Sequence, residues 1–416
     1  MNNHFITQIE IEKIKHLNNI KIKLDENKPK HLLLTGKNGS GKTTTLKAIK
    51  SNLRSIQMGN YIEVIEVWKK NVLEAKEKLN NEINENIRLR LKNDIENNIN
   101  NINSCGIYGL NIKYNCDGKL LNPLYKEGKF ILAYYGANRA TEVEIPKGVE
   151  KITLKDVYNF DENPSGIFLK YLVDLKTQQS FARNEEDMET VNNIDIWFKN
   201  FEGAMRTILD DNSIKLKFDY RNYDFKIIQD NREPYSFNEL SDGYSSILNI
   251  VSDLILRIDK NRAGLSSGYI FDTEGIVLID ELETHLHIEL QKSILPFLTQ
   301  FFPNIQFIVT THSPFVLNSI NNTIIYDLEK NIRLEGLSDY SYEGIVEGYF
   351  EVDNYSNELK EKINKYKELA FKTDLNDEDK ALRAELRIEI KNSANDLAKE
   401  LKVEFDEIER KRKTMK

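Results

Sequence analysis

"LLLTGKNGSGKTTTLKAI" runs from Leu32 to Ile49 and decides how the rest of the chain is read. It opens on a short apolar run that ends in glycine, as a buried strand does. It closes on "KTTTLKAI", which continues as a helix. Between them, Gly36-Lys37-Asn38-Gly39-Ser40-Gly41-Lys42-Thr43 fits G-x-x-x-x-G-K-[ST], and Thr44 follows. The glycines let backbone N–H groups wrap phosphates, because a Cβ there would clash or forbid the dihedral angles. Lys42 supplies charge to the β- and γ-phosphates, and the Thr43 hydroxyl can ligate Mg²⁺. An ordinary glycine turn is the competing reading. A chain this long matches the four fixed positions by chance roughly one time in a hundred, and the strand before and helix after reduce that further.

Upstream, "FITQIEIEKIKHLNNIKIKL" alternates apolar and polar residues and reads as a β-hairpin. Downstream, from about Trp68 to Asn103, Leu79, Ile83, Ile87, Leu91, Ile95 and Ile99 recur every fourth residue, a narrow helical stripe with polar flanks. A surface helix or helical hairpin is favoured there over a coiled-coil arm. "GIYGLNIKYN" and "KFILAYYG" read as strands, 154–208 as mainly helical, and "SIKLKFDYRNYDFKIIQD" as a hairpin. "GIVLIDE" and "IQFIVTTHSP" are buried strands separated by the helix "HIELQKSILPFLTQFF". Strands alternating with helices predict an α/β fold with a mostly parallel sheet.

Ile276 to Ile279 are apolar, and Asp280 and Glu281 follow at once. Two carboxylates at the end of a strand buried on both faces are costly unless they have a role. Asp280 suits the Mg²⁺ shell, and Glu281 suits a general base that orients the attacking water. An acidic pair capping a surface strand explains either residue alone, but explains the pair poorly beside a phosphate loop. His312 lies just past the next apolar strand, where it can reach the γ-phosphate from the same sheet edge. Glu283, His285 and His287 lack a further Cys or His ligand nearby, which makes a zinc site improbable.

A second glycine-bearing turn, "FNELSDGYSSIL" from Phe237 to Leu248, leads into an apolar helix. Its Leu240-Ser241-Asp242-Gly243-Tyr244 resembles the LSGGQ signature of the ABC ATPases and lies between the other two motifs, as in that superfamily. With "VLIDELETHLH" and "FPNIQFIVTTHSPFVLNSI", the chain from Phe5 to Ser319 is similar to RecF/SMC/OLD-like soluble ATPases. Within these it resembles the PtuA-like ATPases of prokaryotic anti-phage systems. The resemblance implies a P-loop ATPase of ABC type, with an antiparallel β subdomain and helical insertions. It implies that Gly36 to Thr44 bind ATP, Thr43 and Asp280 hold Mg²⁺, Glu281 is the catalytic base and His312 the switch histidine. It further implies that Ser241 and Gly243 complete the ATP site of a second copy, in a homodimer or higher homo-oligomer. Asp242 and Tyr244 depart from the usual signature. No glutamine follows "KFILAYYGANRA", leaving Tyr135, Asn138 and Arg139 as candidates for that turn, and no residue is assigned to adenine.

The 416 residues divide into the phosphate-loop part of the core at 1–60 and 105–150, a helical insertion at 61–104, and a helical lobe with a hairpin at 151–235. The second motif-bearing part is 236–335, followed by a helical C-terminal segment at 336–416. In that last segment Leu382, Leu386, Leu397, Leu401, Phe405 and Ile408 predict one apolar face on a second helix. The net charge of −8 argues against a basic coat for nucleic acid, although a local DNA groove stays possible. Two cysteines and no long apolar run fit a reducing, cytoplasmic setting without a membrane span. Asp377-Glu378-Asp379 has the D-x-D spacing of a nuclease centre, but it sits where helix N-capping is the better reading. The expected activity is therefore ATP hydrolysis that controls a separate effector, a nuclease, in anti-phage defence. A DNA-repair or chromosome-maintenance ATPase that binds DNA directly is the alternative, and a transporter subunit is the weakest reading.

Overall fold

The computed structural model describes residues 4–59, 61–139, 143–259, 271–339, 344–345, 357–372, 374–396 and 399–414. The chain forms two compact units, 1–340 and 341–416.

The alternating start of the chain folds as expected: β1 (Ile6–Ile14) pairs antiparallel with β2 (Leu17–Lys23). Lys15 sits at φ 52° in the tight turn between them. The strand β4 (Leu110–Tyr114) adds to the other edge of β1, giving the order β2-β1-β4. The central sheet has six strands. It uses β3 (His31–Thr35), β5 (Phe130–Tyr135), β9 (Glu274–Ile279), β10 (Ile305–Thr310), β11 (Thr323–Asp327) and β12 (Ile332–Leu334). Their order is β12-β11-β3-β10-β9-β5, all parallel except the edge strand β12. Every residue of β3 and β10 is buried, as a parallel sheet covered on both faces requires. One of them, Gln306, accepts from the Ile6 amide (2.8 Å) and donates to the Ile6 and Lys30 carbonyls (3.0 and 2.7 Å), pinning the small sheet to the large one.

The helix α1 (Lys42–Met58) buries Leu46, Ile49, Leu53 and Ile56 in a core shared with both sheets. After it, α2 (Tyr61–Asn81) and α3 (Glu85–Cys105) form a helical hairpin. The four-residue stripe does not mark a single helix. The chain reverses at 82–84, where Asn84 caps α3 by accepting from the Asn86 and Ile87 amides. Only its lower part, Ile95 and Ile99, packs on the cluster of Ile65, Val72, Ile102 and Cys105, while Ile83 is 94% exposed.

The short helix α4 (Leu121–Lys126) precedes β5. The expectation of a mainly helical 154–208 holds from α5 (Phe168–Asn184) and α6 (Met188–Leu209) onward. Before Pro164 the chain is irregular, because its carbonyls go elsewhere: Arg257 takes those of Tyr158, Asn159 and Glu162. A three-stranded antiparallel sheet, β6 (Lys215–Asp219), β7 (Asp224–Ile228) and β8 (Tyr235–Ser236), leads into α7 (Asp242–Ile258). Then α8 (Ile288–Phe301) joins β9 to β10, and α9 (Pro314–Leu317) follows β10.

The second unit contains α10 (Asn357–Phe371), α11 (Asp377–Asp396) and α12 (Lys399–Thr414). Ile363, Tyr366, Leu369, Leu386, Ile390, Phe405 and Ile408 make its core. The expected second helix is thus two. Leu386 belongs to one, Phe405 and Ile408 to the other, and Leu382 is 38% exposed. Leu397 and the Leu401 side chain lie outside the described residues. Asp377, Glu378 and Asp379 occupy the first turn of α11, and Asn376 accepts from the Asp379 amide (2.7 Å).

Candidate functional site

The parallel strands β3, β10, β9 and β5 are neighbours in that order, so the residues just past their ends meet along one edge. From β3 comes the phosphate loop. Gly36, Gly39 and Gly41 all have positive φ (126°, 85° and 101°), and Gly41 is the N-cap of α1. The loop therefore offers successive N–H groups and a helix N-terminus to an anion. Lys37, Asn38 and Gly39 are exposed and Ser40 and Thr44 half-buried. Lys37 pairs with Glu329 (2.9 Å) beyond the end of β11.

Lys42 is buried, and its ammonium bridges the Gly36 and Lys37 carbonyls (2.7 and 3.1 Å) across the loop. Burial lowers its pKa, against the pull of Glu281, Glu283, Asp280 and Asp327, so four carboxylates lie within its field. The Thr43 hydroxyl donates to Asp280 Oδ1 at 3.0 Å, joining residues 237 apart in sequence. Thr310, at the end of β10 between them, donates to the same oxygen (2.7 Å) and accepts from the Glu281 amide (2.7 Å).

Two hard oxygens on adjacent corners of a magnesium octahedron lie about 3 Å apart. The Thr43 and Asp280 oxygens are 3.0 Å apart, so the pair fits Mg²⁺ in both spacing and chemistry. Among the described residues no three His, Cys, Asp or Glu side chains cluster as a protein-only metal site. Mg²⁺ characteristically takes one or two protein oxygens plus phosphate and water.

Glu281 follows at φ 49°, a left-handed turn that swings its side chain off the strand line, and Thr284 donates weakly to its carboxylate (3.5 Å). His312 is half-buried, its Nε2 has no hydrogen-bond partner among the described residues, and its amide donates to Glu283. Burial lowers its pKa and the Lys42 charge lowers it further, while Glu283 and Glu281 oppose, which keeps the ring neutral at pH 7. Ser241, exposed, is the N-cap of α7 but its hydroxyl caps none of that helix's amides. Gly243 is buried, and a Cβ there would fall 2.6 Å from the His285 carbonyl.

Sequence reasoning missed Thr310, although it opens the string "TTH" whose last member was noticed. It left Arg139 as one of three candidates. In the structure Arg139 is buried after β5 and donates to the Gly136, Asp280, Glu281 and Leu282 carbonyls and to Ser246 Oγ. Tyr135 instead points to Asp253 of α7.

A glycine loop between a buried strand and a helix, with its threonine on the aspartate of a strand two positions away, defines a P-loop nucleotide-binding fold. Residues 32–318 match the family described as "AAA domain, putative AbiEii toxin, Type IV TA system", and the chain belongs to that family. It is similar to the Septu protein PtuA of Bacillus mycoides (strain KBAB4), with 29% identity over 413 residues, 96% of this chain and 51% of that protein. It also resembles the Retron Ec83 probable ATPase of Escherichia coli, 36% identical over 154 residues, 35% of this chain and 27% of that one. The chain thus spans about half the length, or less, of these relatives. A solved Smc head bound to the C-winged helix domain of ScpA is similar at a TM-score of 0.40 and 12% identity, covering 81% of this chain and 100% of that one. Among the described residues, no helix is long and apolar enough to cross a membrane.

Proposed function

We propose that this chain binds and hydrolyses ATP with Mg²⁺, and that ATP closes it against a second copy to control a separate effector, a nuclease, in anti-phage defence. The observation that carries the reading is the contact between Thr43 and Asp280, clamped by Thr310 beside Glu281. The loop amides and Lys42 hold the phosphates. Thr43 and Asp280 would hold Mg²⁺, which when bound would supply positive charge to the phosphate oxygens. Glu281 takes the proton from the water that attacks the γ-phosphorus, the bond from that phosphorus to the β–γ bridging oxygen breaks, ADP leaves, and His312 hydrogen-bonds the γ-phosphate.

The turn at Ser241 supports the composite-site reading. Ser241 sits exposed at the start of α7, and its hydroxyl caps no amide of its own helix. A helix N-terminus with a spare hydroxyl suits the γ-phosphate held by another copy. The defence role is drawn from similarity to the Septu and retron proteins. The test is mass by light scattering after size separation, with phosphate release in parallel. Glu281→Gln should bind Mg-ATP, stop turnover and grow in mass, and Ser241→Arg in that background should abolish the growth. A Glu281→Gln protein whose mass ignores ATP would sink the composite-site reading. Undiminished turnover in Glu281→Gln would sink its role as base.

A further inference from the structure

We propose that Arg139 is a positioning residue for Glu281, tying the turn that carries the general base to the signature helix so that a shift of that helix reaches the base. The assignment deepens the ATPase reading and rests on it.

A guanidinium has five N–H donors in a rigid plane. Here five acceptors surround it. Nε donates to Ser246 Oγ (2.9 Å). Nη1 donates to the Gly136 and Asp280 carbonyls (3.0 and 2.6 Å), and Nη2 to the Glu281 and Leu282 carbonyls (2.9 and 3.3 Å). Three successive carbonyls can converge on one cation only if the chain coils, and Glu281 is the residue that takes the left-handed φ of 49°. The amides of the same turn are held from the opposite side. Asp280 N donates to the Tyr135 carbonyl (2.8 Å), Glu281 N to Thr310 Oγ1 (2.7 Å) and Leu282 N to the Thr310 carbonyl (3.2 Å). The turn is suspended between β10 and β5 on its N–H side and Arg139 on its C=O side, where the Thr284 amide also donates to the Glu281 carbonyl (3.1 Å) and, among the described residues, Arg139 is the side chain that holds these carbonyls.

The fifth donor is what gives the arginine more than a local role. Ser246 lies in α7, five residues after Ser241 and three after Gly243. A Cβ on Gly243 would fall 2.6 Å from the carbonyl of His285, four residues past Glu281, so the α7 backbone packs close to that segment. The signature helix therefore meets the base-carrying turn twice, once by backbone packing and once through Arg139. Through these two contacts a shift of α7 would reach the turn that carries Glu281. Arg139 touches no reacting atom in this arrangement. It acts by where it keeps Glu281.

The test uses the full chain and separates ATP binding, read with a fluorescent ATP analogue, from turnover. Arg139→Lys keeps the charge but loses the planar fork. It should bind ATP within about twofold of wild type while kcat falls about a hundredfold, the cost of a misplaced catalytic group. In Arg139→Ala, millimolar guanidinium should recover part of the lost rate. Ser246→Ala, a small change that keeps the fold, should lower kcat about tenfold through one lost charged hydrogen bond, with ATP affinity unchanged. Arg139→Lys with wild-type kcat, or with kcat and ATP binding lost in equal measure, overturns the assignment. If Arg139→Ala does not fold, Ser246→Ala decides, and an unchanged kcat there overturns it. Wild-type protein that binds no Mg-ATP would instead overturn the ATPase reading beneath it.

Discussion

Glycines of the phosphate loop are not equivalent, and the difference can be measured. An alanine at Gly39 would carry the strain of φ 85° but meet nothing within 4 Å. That strain costs about 1–2 kcal/mol. An alanine at Gly36 would carry φ 126° and also press on Ser40 Oγ at 2.9 Å, Asp327 Oδ1 at 3.1 Å and the Glu329 amide at 3.2 Å. Gly36→Ala is therefore expected to lose at least twice as much stability in urea unfolding as Gly39→Ala, and to lose ATP binding with it. His31, at the start of β3, is a second case of a single side chain with a measurable signature. It is buried, accepts from the Phe307 amide through Nδ1 (3.1 Å), and burial lowers its pKa to about 4. The unfolded chain takes up this proton below about pH 6.5 while the folded one does not. Stability from this group is complete above that pH and is lost as pH falls from 6.5 towards 4, up to about 3 kcal/mol. His31→Asn keeps an acceptor and should flatten the unfolding free energy over that range by one proton. An unaltered slope would show that other groups set it.

Helices and strands differed in how readily they could be read. The strands that carry the site were legible because burial on both faces writes an uninterrupted apolar run, as in "IVLI" and "IQFIVT". The hairpins were legible from alternation. The α2–α3 reversal was hidden because the four-residue period runs on through it: Ile83 keeps the spacing while lying in the turn, and neither glycine nor proline marks the bend. The one local signal was Asn84 ahead of Glu85, an N-cap with an acidic first turn. That reversal makes a prediction. Ile102, at the packed base, should cost about 2–4 kcal/mol when changed to alanine. Ile83→Asp at the tip should leave the unfolding free energy within about 0.5 kcal/mol of wild type. A large loss at Ile83 would mean that the tip is covered in the protein as it works. Arg139 and Thr310 resisted reading for a different reason. Each bonds backbone carbonyls or amides of a strand end that is distant in sequence, and such partners leave no residue pattern. In the second unit, Glu409 shows the same blindness. Burial would raise its pKa, but hydrogen bonds from Tyr366, Arg412 and Arg387 hold it below the usual range.

Taken whole, the site belongs to no single segment. Its glycine loop follows β3, Asp280 and Glu281 follow β9, and His312 follows β10. The motif order could be read from the chain, but their meeting depends on strand order, and that order is not sequential. The strand β10 lies between β3 and β9, although it is made after both. During synthesis, β3 and β9 each wait with an unpaired edge facing a gap that only residues 305–310 can fill. At about 5–20 residues per second, the ribosome needs a few seconds to pass from the end of β9 to the end of β10. Until then Thr310 cannot bridge Asp280 to Glu281, and nucleotide has no finished site to favour. Because the middle strand arrives after both of its neighbours, a nucleotide could favour the assembled sheet and would be no help to the nascent chain before residue 310.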